Sequence, residues 1–136
     1  MKAMADSARE RLTHLRNHLL RLHKTLLDSE RAAYERDVQR ITSTGQYLQL
    51  VLNDPWFAWL HELSQFIVVI DERLDDKEQP ATAEDADRLT GRARNLIAPN
   101  ESAEGNGFAR KYFEAMQRDP DVVLAHRDTV RAFEAL

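Results

Sequence analysis

From Leu12 to Ile41 the apolar residues return every third or fourth position, at Leu15, Leu19, Leu22, Leu26 or Leu27, Ala33 or Tyr34, and Val38, with one missing beat near Glu30. A repeat of about 3.6 residues marks an α-helix with one buried face. The spacing predicts a single long helix from about Ala5 to about Thr42. At about 1.5 Å per residue it would exceed roughly 50 Å, more than a compact domain of this size needs. A break at Asp28 and Ser29 is the alternative.

The remaining chain divides at clear punctuation. Ser43 or Thr44, followed by Gly45, can cap a short helix through Leu52 that presents Tyr47, Leu48, Leu50, Val51 and Leu52. Asn53-Asp54-Pro55 reads as the next helix start, a capping carboxylate followed by proline at the first helical position. That helix sets Trp56, Trp59, Leu60, Leu63, Phe66, Ile67, Ile70 and Leu74 on one broad face and frays into the charged run Asp75 to Glu78. Pro80 ends a linker, Thr82 caps a helix to about Ile97 with Ala86, Leu89, Ala93 and Leu96 inward, and Pro99 stops it. The loop from Asn100 to Gly107 is expected to be mobile. A short helix with Phe108, Tyr112, Phe113 and Met116 follows, and Asp119-Pro120 opens a last helix with Val122, Val123, Val130, Phe133 and Leu136. The predicted fold is all-α, a single domain over residues 1–136, built as an antiparallel bundle of five or six helices with a long N-terminal helix.

The chain has no cysteine, which removes disulfides, thiolate metal sites and cysteine nucleophiles. Met1 to Leu12 lacks the apolar core of a secretory signal, and the longest apolar run, Phe66 to Ile70, is too short to span a bilayer. A cytoplasmic protein with no membrane partner is expected. The net charge of −4 conceals a basic end, with Lys2, Arg9, Arg11, Arg16, Arg21 and Lys24 set against Asp6 and Glu10. Such an end attracts phosphates or an acidic partner, while the acidic remainder repels a nucleic-acid backbone laid across the protein. That balance argues against nucleic acid as the partner.

Familiar chemistry is missing. His14 and His18 have the spacing of two metal ligands, but Arg11 and Arg21 beside them disfavour a divalent ion, so a solvated face is expected and no metal. The chain contains no Glu-x-x-His pair of a di-iron bundle, no His-Glu-x-x-His, no phosphate loop, no dinucleotide glycine fingerprint and no Gly-x-Ser-x-Gly elbow. No catalytic residue is assigned and no cofactor is expected. Trp56, Phe57 and Trp59 could stack a ligand or a base, yet their helical spacing beside a proline favours the core. Glu101 to Glu104, followed by Gly105, Asn106 and Gly107, lacks the alternation of a calcium loop and reads as solvated.

One row of polar residues stands on the wrong side of the first helix. Arg16, His23, Glu30 and Asp37 recur at seven-residue intervals, drifting about 20° per step, and so run down the apolar face itself. Desolvating such charges costs several kcal/mol each unless they are paired. Asp71 and Arg73 are the expected partners. Two readings stay open: side chains that snorkel at the stripe's margin or fix the packing register, or His23, Glu30 and Asp71 lining a small polar pocket for a metal or ligand.

The segment Asn53 to Leu60, NDPWFAWL, with Ser64, Ile70-Asp71-Glu72 and Arg118-Asp119-Pro120-Asp121, resembles a group of small uncharacterised bacterial proteins. Leu22-His23-Lys24 and Leu26-Leu27-Asp28 are similar to the same group, so the resemblance covers most of the chain. It implies a bacterial, all-helical protein and carries no activity, so no residue takes a role from it.

The expected function is a non-enzymatic helical bundle acting through protein–protein contacts. A long first helix beside partners of about twenty residues leaves apolar surface that a homodimer would cover. The basic first helix is a second docking surface, for an unidentified protein partner. The alternative is a small-ligand- or metal-binding bundle, open to enzymatic use, working through the polar row. A weaker alternative is a nucleic-acid-associated protein using the basic helix.

Overall fold

A computed structural model describes residues 2–100 and 107–136, with side chains from Ser7 onward. Among the described residues there are six α-helices and no strand: α1 (Lys2–Asp37), α2 (Thr44–Asn53), α3 (His61–Asp75), α4 (Ala83–Ile97), α5 (Phe108–Arg118) and α6 (Pro120–Ala135). A 3-10 turn at Ala58–Leu60 leads into α3. The architecture is the expected all-α bundle with a long first helix. No helix among these residues is long and apolar enough to cross a membrane. The loop reading for residues 101–106 lies outside the described residues.

The leucine stripe of α1 organises the bundle. Leu12, Leu15, Leu19, Leu22 and Leu26 are fully buried, and Ala8, Ala33 and Tyr34 extend the stripe toward both ends. Each such leucine contributes roughly 1.5–3 kcal/mol by leaving water. The helices that cover it are α3, α4 and α6, with α5 contributing less. Arg9 reaches the Leu74 carbonyl while Arg16 reaches Asp71, so α3 runs antiparallel to α1. The start of α6 lies by Ser29 and its middle by His18, which makes α6 antiparallel as well. The uncovered apolar surface expected on a long first helix is therefore absent over most of its length. Among its described side chains Leu20 is the exposed large hydrophobic, and Val38, also exposed, follows just past its end.

Asp28 and Ser29 do not break α1. Short polar side chains interrupt helices when they bond to their own backbone. Here Lys24 holds Asp28 at 3.2 Å and Arg118 donates to the Ser29 hydroxyl at 3.2 Å. The helix stops at Asp37 rather than near Thr42, because side chains intercept the amides that would continue it. Glu35 accepts from the Ile41 N–H and Gln46 from the Thr42 N–H, which lets Ile41 bury in the core.

Ser43 caps α2 by accepting from the Gln46 N–H, and Asp119-Pro120 starts α6 as expected. Thr82 and Asp85 form a reciprocal capping box at the start of α4. Asp54-Pro55 behaves differently. Asp54 accepts from the Trp56 N–H at 2.8 Å, but the chain winds tightly and α3 begins only at His61. The tight winding buries Phe57 between Tyr34 and Tyr47 and leaves Trp56 half-buried, where the sequence pattern puts Trp56 on the core face.

Candidate functional site

The polar row of α1 does not converge on one pocket. Seven residues of helix separate its members by about 10 Å each, and each finds its own surroundings. Arg16 donates to Asp71 at 3.2 Å, and both side chains are partly exposed, so the pair is worth about 1 kcal/mol or less. His23 is half-buried near His61; burial first, and then the charge of His61, push its pKa down. Asp37, at the exposed end of the helix, is held by its neighbour Arg36. Glu30 is the one carboxylate of the row that is buried, at 6% exposure.

Arg73 does not join the row. Its guanidinium donates to Asp85 at 2.9 Å and to the carbonyls of Gln79 and Pro80, closing the linker between α3 and α4. The Thr82 N–H, with help from Arg73 and Arg88, outweighs burial and holds the Asp85 carboxyl well below the usual carboxylate range. Glu30 lines a cavity whose walls include neither His23 nor Asp71, and Asp71 pairs with Arg16. Among the described residues no group of three His, Asp or Glu could hold a metal ion.

The partner of Glu30 is Arg118, in the last turn of α5, at 2.8 Å. Sequence reasoning passed over Arg118 although the inward positions Phe108, Tyr112 and Ala115 of α5 place the third residue onward at the edge of the same face. This ion pair forms one wall of a cavity of about 590 Å³ that is also lined by Pro55, Trp56, Ala58, Trp59, Lys111 and Glu114. The 3-10 turn supplies the aromatic wall. Trp59 packs on Phe108 with ring centres 5.3 Å apart, and Trp56 meets Tyr34 edge-on at 5.6 Å. Helix α5 supplies the rest, with Glu114 held by Arg110 at 3.1 Å and Lys111 at 3.8 Å.

Both indole N–H groups in that wall are buried without a hydrogen-bond partner. Each such donor costs about 1–3 kcal/mol until an acceptor reaches it. Beyond Phe108, on which its ring stacks, Tyr112 donates its hydroxyl to His126 Nδ1 at 2.6 Å. The direction follows from burial, which raises the phenol's pKa and keeps it protonated while lowering that of His126.

The outer surface offers one contrast. Helix α2 contains no buried residue, although Tyr47, Leu48, Leu50, Val51 and Leu52 make it strongly apolar. Tyr47, Leu50 and Val51 lean on the core, with the Tyr47 ring under Arg31 and its hydroxyl donating to the Leu27 carbonyl. His61 Nε2–H donates to the Val51 carbonyl at 3.0 Å and pins the end of the helix. Leu48 and Leu52, four residues apart and so on one face, point away from the core and are each 55% exposed. The basic end of α1 is by contrast largely spent inside the molecule: Arg9, Arg11 and Arg16 bond to Leu74, Asp87 and Asp71. Comparison with family models, with curated proteins and with solved structures finds no match to this chain.

Proposed function

We propose that this chain is a non-enzymatic helical bundle that works through protein–protein contact, pairing with a second copy of itself through α2. The observation that carries the reading is a second apolar face, Leu48 with Leu52, on a helix that buries no residue in its own core. The stretch Ile41 to Asn53 carries no charged side chain, in a chain of which 31% is charged. Depletion of charge marks the centre of protein interfaces. A two-fold axis lays a patch on its own copy, where a charge would meet its like and an apolar face meets no penalty. A foreign partner would be selected by complementary charge, and α2 offers none.

The reading moves the homodimer from α1, whose stripe is already covered, to α2. A helix of ten residues is about 15 Å long, so the contact falls short of the roughly 1,200 Å² of a standard interface and the pairing is weak. A cytoplasmic site of action belongs to the same proposal, supported by a chain without cysteine. The bacterial origin rests on the resemblance alone.

Sedimentation equilibrium from about one to several hundred micromolar tests the pairing. The expected result is a monomer that becomes a dimer across that range, and a Leu48→Glu, Leu52→Glu variant that stays monomeric with unchanged helicity. A parent that remains monomeric throughout, or a variant that associates as the parent does, overturns the proposal.

A further inference from the structure

The cavity between the 3-10 turn and α5 has a chemistry that none of the interactions described so far uses. Its walls are Trp56 and Trp59, and its charged groups are Glu30, Lys111, Glu114 and Arg118. Both carboxylates are already engaged, Glu30 by Arg118 at 2.8 Å and Glu114 by Arg110 at 3.1 Å. The donors are not. Lys111 stands 3.8 Å from Glu114, beyond hydrogen-bond length, and Arg118 spends one nitrogen, Nη2, on both Glu30 and Ser29. The two indole N–H groups are buried behind the cavity wall without an acceptor, so the tryptophans offer the cavity their rings rather than their donors. A pocket whose two cations keep donors to spare is complemented by a ligand rich in acceptors, and aromatic walls are complemented by a flat ring.

We infer that this cavity is a binding site for a planar aromatic anion, a ring bearing a carboxylate or a phosphate. The ring lies against Trp56 and Trp59, and the anionic group meets Lys111 and the outer nitrogens of Arg118. At about 590 Å³ the cavity is within the range of small-molecule sites. The opposite reading, an aromatic cage for an organic cation, would need an unengaged carboxylate, and Glu30 and Glu114 are both held by cations. The site does not depend on pairing through α2, since none of its lining residues belongs to that helix.

The chain has two tryptophans and both line this cavity, so its indole N–H resonances report on it alone. The test is a titration of nitrogen-15-labelled protein with cinnamate, phenyl phosphate, cinnamyl alcohol and cinnamylammonium. Both indole cross-peaks are expected to shift with an anionic probe, the two anions separating carboxylate from phosphate, and much less with the alcohol or the cation. Lys111→Met leaves the Glu30–Arg118 pair intact and is expected to weaken the anion by about tenfold, the loss of one charge-assisted contact. Indole peaks that ignore both anions at millimolar concentration overturn the inference. So does an equal response to cinnamylammonium, or a Lys111→Met variant that binds as the parent does.

Discussion

Helices α1 and α2 stand side by side in the chain and reverse the usual relation between apolar content and burial. The long α1 is rich in charge, yet its leucines at Leu12, Leu15, Leu19, Leu22 and Leu26 are fully covered. The short α2 is mostly apolar, yet none of its residues is more than partly buried. Periodicity accounts for the difference. The α1 leucines fall on one stripe that three other helices can cover at once, whereas the consecutive apolar residues of α2 point to two sides, and one bundle covers one side. An apolar residue out of phase with its core is left for something other than the core.

The comparison predicts a large asymmetry in mutational cost. Leu22→Ala in α1 is expected to lower unfolding stability by about 2–5 kcal/mol, while Leu48→Ala in α2 changes it by about 0.5 kcal/mol or less. Urea denaturation at low protein concentration reads both. Equal losses would mean that Leu48 is held inside the monomer and that α2 is no outer face.

A second, smaller asymmetry separates two ion pairs that tie the polar row of α1 to other helices. Arg118→Ala strands a carboxylate at 6% exposure and is expected to cost about 3 kcal/mol. Asp71→Ala releases an arginine that is partly exposed and should cost about 1 kcal/mol or less. If the two variants unfolded at the same urea concentration, Glu30 would be no more buried than Asp71.

Acid gives the most graded effect. His18, His23 and His126 all have pKa values lowered first of all by burial. A lowered histidine pKa means that the unfolded chain binds the proton more readily. Stability is then fully present above the unfolded value near 6.5 and is lost as pH falls from there through the folded pKa. The urea midpoint should therefore drop between about pH 7 and pH 5, with His23→Gln shallower than the parent. A midpoint independent of pH would place these rings in solvent.

Much of the architecture was legible because its signals are local. Ser43, Thr82 and Asp119-Pro120 each mark a helix start within a turn of the residue they cap, and the α1 stripe is visible in its own spacing. Partners far apart in the chain were not legible. Asp71 was named as a partner of the row because it lies on an obvious core helix, and it meets Arg16, but Arg118 reaches Glu30 across 88 residues. Arg73 was misassigned because its partners, Asp85 and the carbonyls of Gln79 and Pro80, lie in the linker and the first turn of α4, where no local pattern marks an ion-pair partner. The tight turn after Pro55 escaped notice because a helical reading of Trp56, Trp59 and Leu60 fits the spacing equally well, and only the neighbouring rings of Tyr34 and Tyr47 select Phe57. Which side of α2 would be covered depended on where α1 ends, and that end is set by Glu35 and Gln46 accepting the amides of Ile41 and Thr42.

The fork of Arg73 has a further meaning for a chain without cysteine. Its bonds to Asp85, Gln79 and Pro80 tie the end of α3 to the start of α4, so the linker between them is a ring closed without a covalent bond. A disulfide acts by keeping its loop closed in the unfolded chain, whereas this clasp opens on unfolding and steadies the linker only in the folded state. Unlike a disulfide, this clasp needs no oxidant to form, and protonation of Asp85 would leave it hanging on the two carbonyls alone.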